Sequence, residues 1–230
     1  LHLDHIPAID EDQKNVDFLP LLKRALDAGY QSVMIDGSRL PLAQNIAVTQ
    51  QAAELAAKYG SAVEAELGAV AGHEGAGIGL SYEELFTSKK GFTKTEEAAQ
   101  FARESGCDWL SVAAGSFHGA IAAATKHLKK PEARLDIAHI AELSVATGHM
   151  PLVLHGGSGI KQEYILLAVE NGIAKINVAT EIRQPYEFAL EEKPGNITYA
   201  QQKVYDRTRW VLHDFLHTTN NHDTLKGDFK

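Results

Sequence analysis

The feature that most restricts how this chain can fold is a repeated punctuation. Five glycines, Gly29, Gly60, Gly106, Gly148 and Gly172, each close a stretch with helical apolar spacing. In each case a strand-like run begins within about four residues, as in short αβ links. Residues 1–6, 32–35, 62–67, 109–114, 152–155 and 175–179 read as strands. Residues 17–28, 42–59 and 95–105 read as helices, two more helices end near Gly148 and Gly172, and residues 199–216 form a terminal helix. The excess length lies on the other side of the repeat, in residues 68–91 and 115–135, and those links hold glycines, histidines and acids. Long polar links after strands and short ones after helices predict an α/β fold, a (β/α)8 TIM barrel with its active site at the C-terminal ends of the strands. An open doubly wound sheet is the rival arrangement.

Six strands are two short of a closed barrel. The expectation is a single TIM-barrel domain over residues 1–230, N-terminally incomplete and lacking its first two βα units, with residues 199–230 as a C-terminal helix and tail. The chain begins at Leu1 inside a strand, so it reads as the later portion of a longer product. A gap of this kind leaves an unpaired edge on each side.

Composition bounds the partners. At 230 residues with 44% hydrophobic content the chain is long enough for one large core. A net charge of −8 without a basic cluster gives no footprint for nucleic acid or for an anionic membrane. The single Cys107 leaves no internal disulfide. With neither a membrane-length apolar run nor a signal-peptide pattern, the expected location is cytoplasmic.

Residues 152–159 concentrate the chemistry. Apolar residues end in His155, then come Gly156, Gly157, Ser158 and Gly159, with a helix expected directly afterwards. Glycines bring backbone N–H groups close to an anion and a helix start adds its positive end, so this is a candidate phosphate seat beside a candidate metal ligand. A tight strand-to-helix turn with a solvated histidine would have the same sequence. Polar residues gather at the other strand ends as well: Asp4 and His5, Glu66, Glu74 in the link beyond, His118 with Gly119, and Asn177 with Thr180. Three histidines delivered by three strands to one mouth would form a nitrogen site with a fourth position open.

The motifs Leu-His-Leu-Asp-His, Val-Met-Ile-Asp-Gly-Ser, Val-Glu-Ala-Glu-Leu-Gly, Gly-Ser-Phe-His-Gly, Leu-Val-Leu-His-Gly-Gly-Ser-Gly and Lys-Ile-Asn-Val-Ala-Thr together resemble the class II, zinc-dependent ketose-bisphosphate aldolases. Order and spacing both agree over residues 1–183, and the last fifty or so residues agree much less. The resemblance implies a lyase that reversibly cleaves a ketose 1,6-bisphosphate of the fructose or tagatose type, giving dihydroxyacetone phosphate and an aldehyde phosphate. It implies His5, His118 and His155 as ligands of Zn2+, with Glu66 as an alternative or second-site ligand. Asp4 becomes the acid/base on the hydroxyl of the breaking bond, and Glu74 the group that exchanges a proton with the enediolate carbon. Gly119, Gly156, Gly157, Ser158, Asn177 and Thr180 fall on the phosphate-holding positions, and Gly119 and Gly156 on carbonyls offered to a monovalent cation, Na+ or K+, in some members. Family members are commonly dimers or tetramers, so a homo-oligomer is expected.

The chain departs from the pattern in places. Residues 120–124, Ala-Ile-Ala-Ala-Ala, replace an aromatic residue and a lysine that reaches phosphate. Lys126, Lys129, Lys130 and Arg183 are the candidates to stand in for it. Arg39 replaces a frequent histidine. Lys175 reads as the start of its strand, on the face away from the mouth, which argues against a lysine Schiff base. His2 and His5 have opposite strand parity, against the His-x-His pair of many metal-dependent hydrolases. Two rivals stand beside the aldolase reading: the same chemistry on another sugar phosphate or deoxy-sugar-acid phosphate, and a non-catalytic fragment or metal-binding remnant.

Overall fold

A computed structural model describes residues 1–68, 82–116 and 133–221. Its centre is one parallel sheet of six strands in sequential order. These are β1 (His2–Pro7), β2 (Ser32–Asp36), β3 (Ala62–Leu67), β4 (Trp109–Val112), β5 (Leu152–Leu154) and β6 (Ile173–Ile176). Each strand pairs with the next through a helical crossover, which is the βα repeat expected from the glycines. Strands β2 to β5 are buried along nearly their whole length, as strands covered on both faces are. The outcome is the α/β architecture of a partial barrel.

The helices that cover the outer face use the expected periodicity. Helix α1 (Phe18–Asp27) turns Phe18, Leu22, Ala25 and Leu26 inward, at a spacing that marks one helical face. Helix α2 (Leu42–Ala57) buries Ile46, Thr49, Ala52 and Ala56 in the same way. Helices α4 (Thr95–Glu104), α5 (Ile137–Ala146) and α6 (Gln162–Glu170) complete the cover. All five closing glycines have positive φ. At Gly172 a side chain is excluded twice over, because φ is +114° and a Cβ would stand 2.6 Å from Ser144 Oγ.

Two helices stand where the sequence pattern showed none. Helix α3 (Tyr82–Ser88) lies inside the glycine-rich link after β3. At seven residues with only Leu85 buried, it has too short an apolar face to give a periodic signal. Helix α7 (Thr180–Glu192) runs through Pro185 and buries only Ala189. It packs chiefly on α8 (Ile197–Trp210), whose end widens into a π-helical turn at Val211–Phe215. A proline normally argues against a helix interior, and here the α7–α8 hairpin supplies the packing that overrides it. Strand β6 also begins at Ile173, two residues before the expected start at Lys175.

The sheet curls strongly enough for its two end strands to meet through side chains. Asn177, just beyond β6, donates from Nδ2 to Asp4 Oδ2 on β1 at 3.1 Å. Among the described residues no helix is long and apolar enough to cross a membrane.

Thr93 ties the ends of β3 and β4 from inside the core. Its hydroxyl donates to the Leu67 carbonyl and accepts the Ala113 N–H at 2.8 Å, while Thr93 itself is 1% exposed. Replacing Thr93 with Val keeps the shape and strands both backbone groups. The expected loss is about 1–3 kcal/mol for each group left unpaired, read as a lower urea midpoint with an unchanged slope. Thr93→Ser should recover most of it.

Candidate active site

The candidate site lies inside the curl, at the C-terminal ends of the strands, and an irregularity in β1 organises it. Pairing with β2 runs His2 to Ser32 and Leu3 to Val33, then shifts by one residue so that Ile6 meets Ile35. His5 sits at the shift with φ +50°. Strict alternation would have turned His5 away from His2 and Asp4. The extra residue of the bulge reverses that parity and turns His5 inward. The expected opposite placement of His2 and His5 is therefore corrected: both face the interior.

With His5 inside, the upper tier of the mouth assembles from four strands. The His5 and His155 rings meet edge-on with centroids 4.5 Å apart. Ligand atoms of Asp4, His5 and His155 all lie within 4.8 Å of one another, as do those of His5, Asp36 and Glu66. His5 Nδ1 stands 3.6 Å from Asp36 Oδ2 and 3.9 Å from Glu66 Oε2. His155, completely buried, places Nδ1 3.5 Å from Glu66 Oε2 and Nε2 2.9 Å from Glu64 Oε1.

Electrostatics keep the carboxylates charged. Burial opposes the charge on Asp4, yet the His2 ring beside it and the fields of His5, His155 and Lys175 hold its carboxyl well below the ordinary range. Burial likewise opposes ionisation of Asp36, but His5 and two hydrogen bonds from Ser38 prevail and bring it to about 2. Glu64 is lowered as well, because His155 and Lys175 outweigh its burial. His5 moves the other way. Its burial favours the neutral ring, and Asp36, Asp4 and Glu64 together raise its pKa above the ordinary value.

The glycine turn after β5 has a built form. Gly156 has φ +72°. A Cβ on Gly157 would stand 2.6 Å from Ile176 Cγ2 and 3.0 Å from the Asn177 carbonyl, so only glycine lets this backbone lie against β6. Buried Ser158 accepts the Glu181 N–H at 3.1 Å, which caps the first turn of α7 just after Thr180. The turn, Asn177 and the start of α7 are thus held as one unit.

The structure accordingly brings Asp4, His5, Glu66, His155 and Asn177 into one mouth, with Gly156, Gly157, Ser158 and Thr180 grouped beside β6. Glu74, His118 and Gly119 lie outside the described residues, as do Lys126, Lys129 and Lys130. Arg183 pairs with Glu187 on its own helix, and Arg39 donates to the Asp10 carbonyl. Asp36, His2, Glu64 and Lys175 were not singled out as site residues from the sequence. Three of these had a signal: His2, Glu64 and Lys175 each stand two positions before a residue that was singled out, on the same face by strand alternation. Lys175 also needs correction, because its Nζ reaches Glu64 Oε2 at 2.7 Å and Asp4 Oδ1 at 3.7 Å and so points toward the mouth.

Comparison with known proteins identifies the family. Residues 1–221 match the family described as fructose-bisphosphate aldolase class-II. A fructose-bisphosphate aldolase of Staphylococcus aureus (strain Mu50 / ATCC 700699) is 33% identical over 211 residues, covering 92% of this chain and 63% of the relative. The chain thus spans less than two thirds of the length of the curated relatives it matches. The crystal structure of the YdjI aldolase from Escherichia coli K12 superposes with a TM-score of 0.68 at 28% identity, covering 93% of this chain and 68% of that one. A Coccidioides immitis crystal structure of fructose-1,6-biphosphate aldolase type gives a TM-score of 0.74 at 25% identity, covering 97% of this chain and 73% of that one.

The His5–Asp36 pair sets a pH response of the metal-free protein. Asp36 falls from 3.8 to about 2 on folding, so its stabilisation is present above pH 3.8 and is lost as pH drops toward 2. His5 is raised above 6.5, so its share is full below pH 6.5 and is lost as pH rises through the folded value. Asp36→Asn should flatten the acid limb of urea stability against pH. It should also lower the His5 midpoint in a proton NMR titration, and an unmoved His5 midpoint would refute the pairing.

Proposed function

Because the chain belongs to the class II fructose-bisphosphate aldolase family, we propose that its six βα units are part of a single TIM-barrel domain carrying a zinc-dependent aldol-cleavage site. The reaction is reversible cleavage of a ketose 1,6-bisphosphate, of the fructose or tagatose type, to dihydroxyacetone phosphate and an aldehyde phosphate. The observation that carries this reading is the convergence of Asp4, His5 and His155 donor atoms within 4.8 Å at the strand ends. Family membership supports the reaction class.

The donor set suits the metal. Two imidazoles stand ring to ring, and Glu64 orients the buried His155 from outside, as carboxylates do for histidine ligands of zinc. His5, His155 and His118 would hold the ion, with Glu66 beside His155 as an additional oxygen donor. The chemistry supplied by bound zinc is Lewis-acid stabilisation of the negative charge that builds as the carbon–carbon bond breaks.

The chain's own residues do the rest. Asp4 is held ionised, with Asn177 donating to it at 3.1 Å, so it can accept the hydroxyl proton at neutral pH. Glu74 exchanges the proton at the enediolate carbon. The phosphate of the triose half sits against Gly119, Gly156, Gly157, Ser158, Asn177 and Thr180, where backbone N–H groups and the positive end of α7 face it. The Gly119 and Gly156 carbonyls are the donors for a monovalent cation.

Three substitutions test this reading in a coupled triose-phosphate assay with fructose and tagatose 1,6-bisphosphates. Asp4→Ala should lower turnover by about 10²–10⁴-fold while elemental analysis finds zinc retained; full turnover would dismiss Asp4 as the acid/base. His155→Ala should lose zinc and activity together. Gly157→Ala should raise KM more than it lowers kcat, and an unchanged KM would count against the phosphate seat.

A further inference from the structure

Beneath the mouth lies a second tier of polar side chains. Alternation puts His2 below Asp4 on β1, Glu64 below Glu66 on β3, and Lys175 of β6 below Asn177. The Glu64 side chain is fully buried and both its oxygens are engaged. Oε1 accepts from His155 Nε2 at 2.9 Å, and Oε2 accepts from Lys175 Nζ at 2.7 Å, with His2 Nε2 3.4 Å from Oε2. Ligand atoms of His2, Asp4 and Glu64 lie within 4.8 Å of one another, close enough to hold a metal ion of their own. The Lys175 ammonium approaches both carboxylates of that group, 2.7 Å from Glu64 and 3.7 Å from Asp4.

We propose that Lys175 is a positioning residue, a tethered cation that locks Glu64 onto His155 Nε2 and keeps a metal ion out of the His2–Asp4–Glu64 group. The inference rests on the reading of the mouth as a metal site. A divalent ion in the lower tier would recruit Glu64 away from His155 and Asp4 away from the mouth, since both carboxylates would become its ligands. An ammonium leaves the carboxylates free to keep their other partners, because it is a point charge with three donors and demands no coordination sphere. Glu64 then holds the proton of His155 on Nε2. The lone pair is left on Nδ1, the nitrogen that stands 3.5 Å from Glu66 on the mouth side. Neutralising a carboxylate inside the barrel and setting the tautomer of a mouth histidine become one task, done by one side chain.

The test is a zinc titration of the full chain, by calorimetry and by elemental analysis after gel filtration. Lys175→Met, which removes the charge at similar length, should take up about one equivalent more than the unsubstituted protein. Lys175→Arg should bind the same number as the unsubstituted protein, and adding Glu64→Gln to Lys175→Met should abolish the extra equivalent. A folded Lys175→Met protein with unchanged stoichiometry overturns the proposal. Nitrogen-15 NMR of labelled histidine in the unsubstituted, metal-free protein reads the tautomer directly and needs no variant to fold. An Nε2-protonated His155 supports the proposal, and an Nδ1-protonated ring overturns it. Absence of zinc from the unsubstituted protein would instead sink the metal reading of the mouth, while the tautomer remains readable.

Discussion

Four carboxylates, those of Asp4, Asp36, Glu64 and Glu66, point into the interior of a curled parallel sheet, and the site depends on what stands opposite each of them. Buried negative charge is tolerated only when it is paired and hydrogen-bonded. Here the partners are His2, His5, His155 and Lys175, contributed by β1, by the end of β5 and by β6. Lys175 is the one strand-borne lysine in that group. His2 also stands beside Asp4 on its own strand, while the other pairings run between strands, from β1 to β2 for His5 with Asp36 and across the interior for His155 and Lys175 with Glu64. The contact of Asn177 with Asp4 joins the two end strands through this polar interior instead of through a backbone ladder.

The bulge in β1 turns that polar interior into a site. One extra residue between Leu3 and Ile6 brings His5 to the same side as Asp4. Adjacent residues on a regular strand cannot both face inward. Without the bulge the mouth would contain either the carboxylate or the imidazole from this strand, but not both. The left-handed backbone at His5 is the local cost of turning a carboxylate and an imidazole that are adjacent in the chain to the same side.

The second organising element is the junction of β5, β6 and α7. Gly157 allows the turn to lie against the end of β6, and Ser158 reaches across to cap α7. The glycine turn and the helix start therefore face the same space from two sides, and the α7–α8 hairpin holds the helix start in place. This explains how a helix containing Pro185 and little buried surface belongs to the fold: its first turn is anchored at the site and its length is packed on α8.

The repeat, the six strands, their parallel order and the side of the barrel where polar residues gather were all legible in the chain, because glycine punctuation and apolar periodicity are local properties. So were the mouth residues Asp4, His5, Glu66, His155 and Asn177, which stand at strand ends. Local signals ran out where a neighbour decides the outcome. The inward turn of His5 depends on how β1 registers against β2, and the ammonium of Lys175 is drawn up toward the mouth by a carboxylate 111 positions earlier in the chain. Helix α7 forms because α8 is there to pack against. Residue order alone therefore determined which groups arrive at the mouth. Only the tertiary structure decided which way they face and what each is paired with, since register and charge pairing are set between strands and not within them.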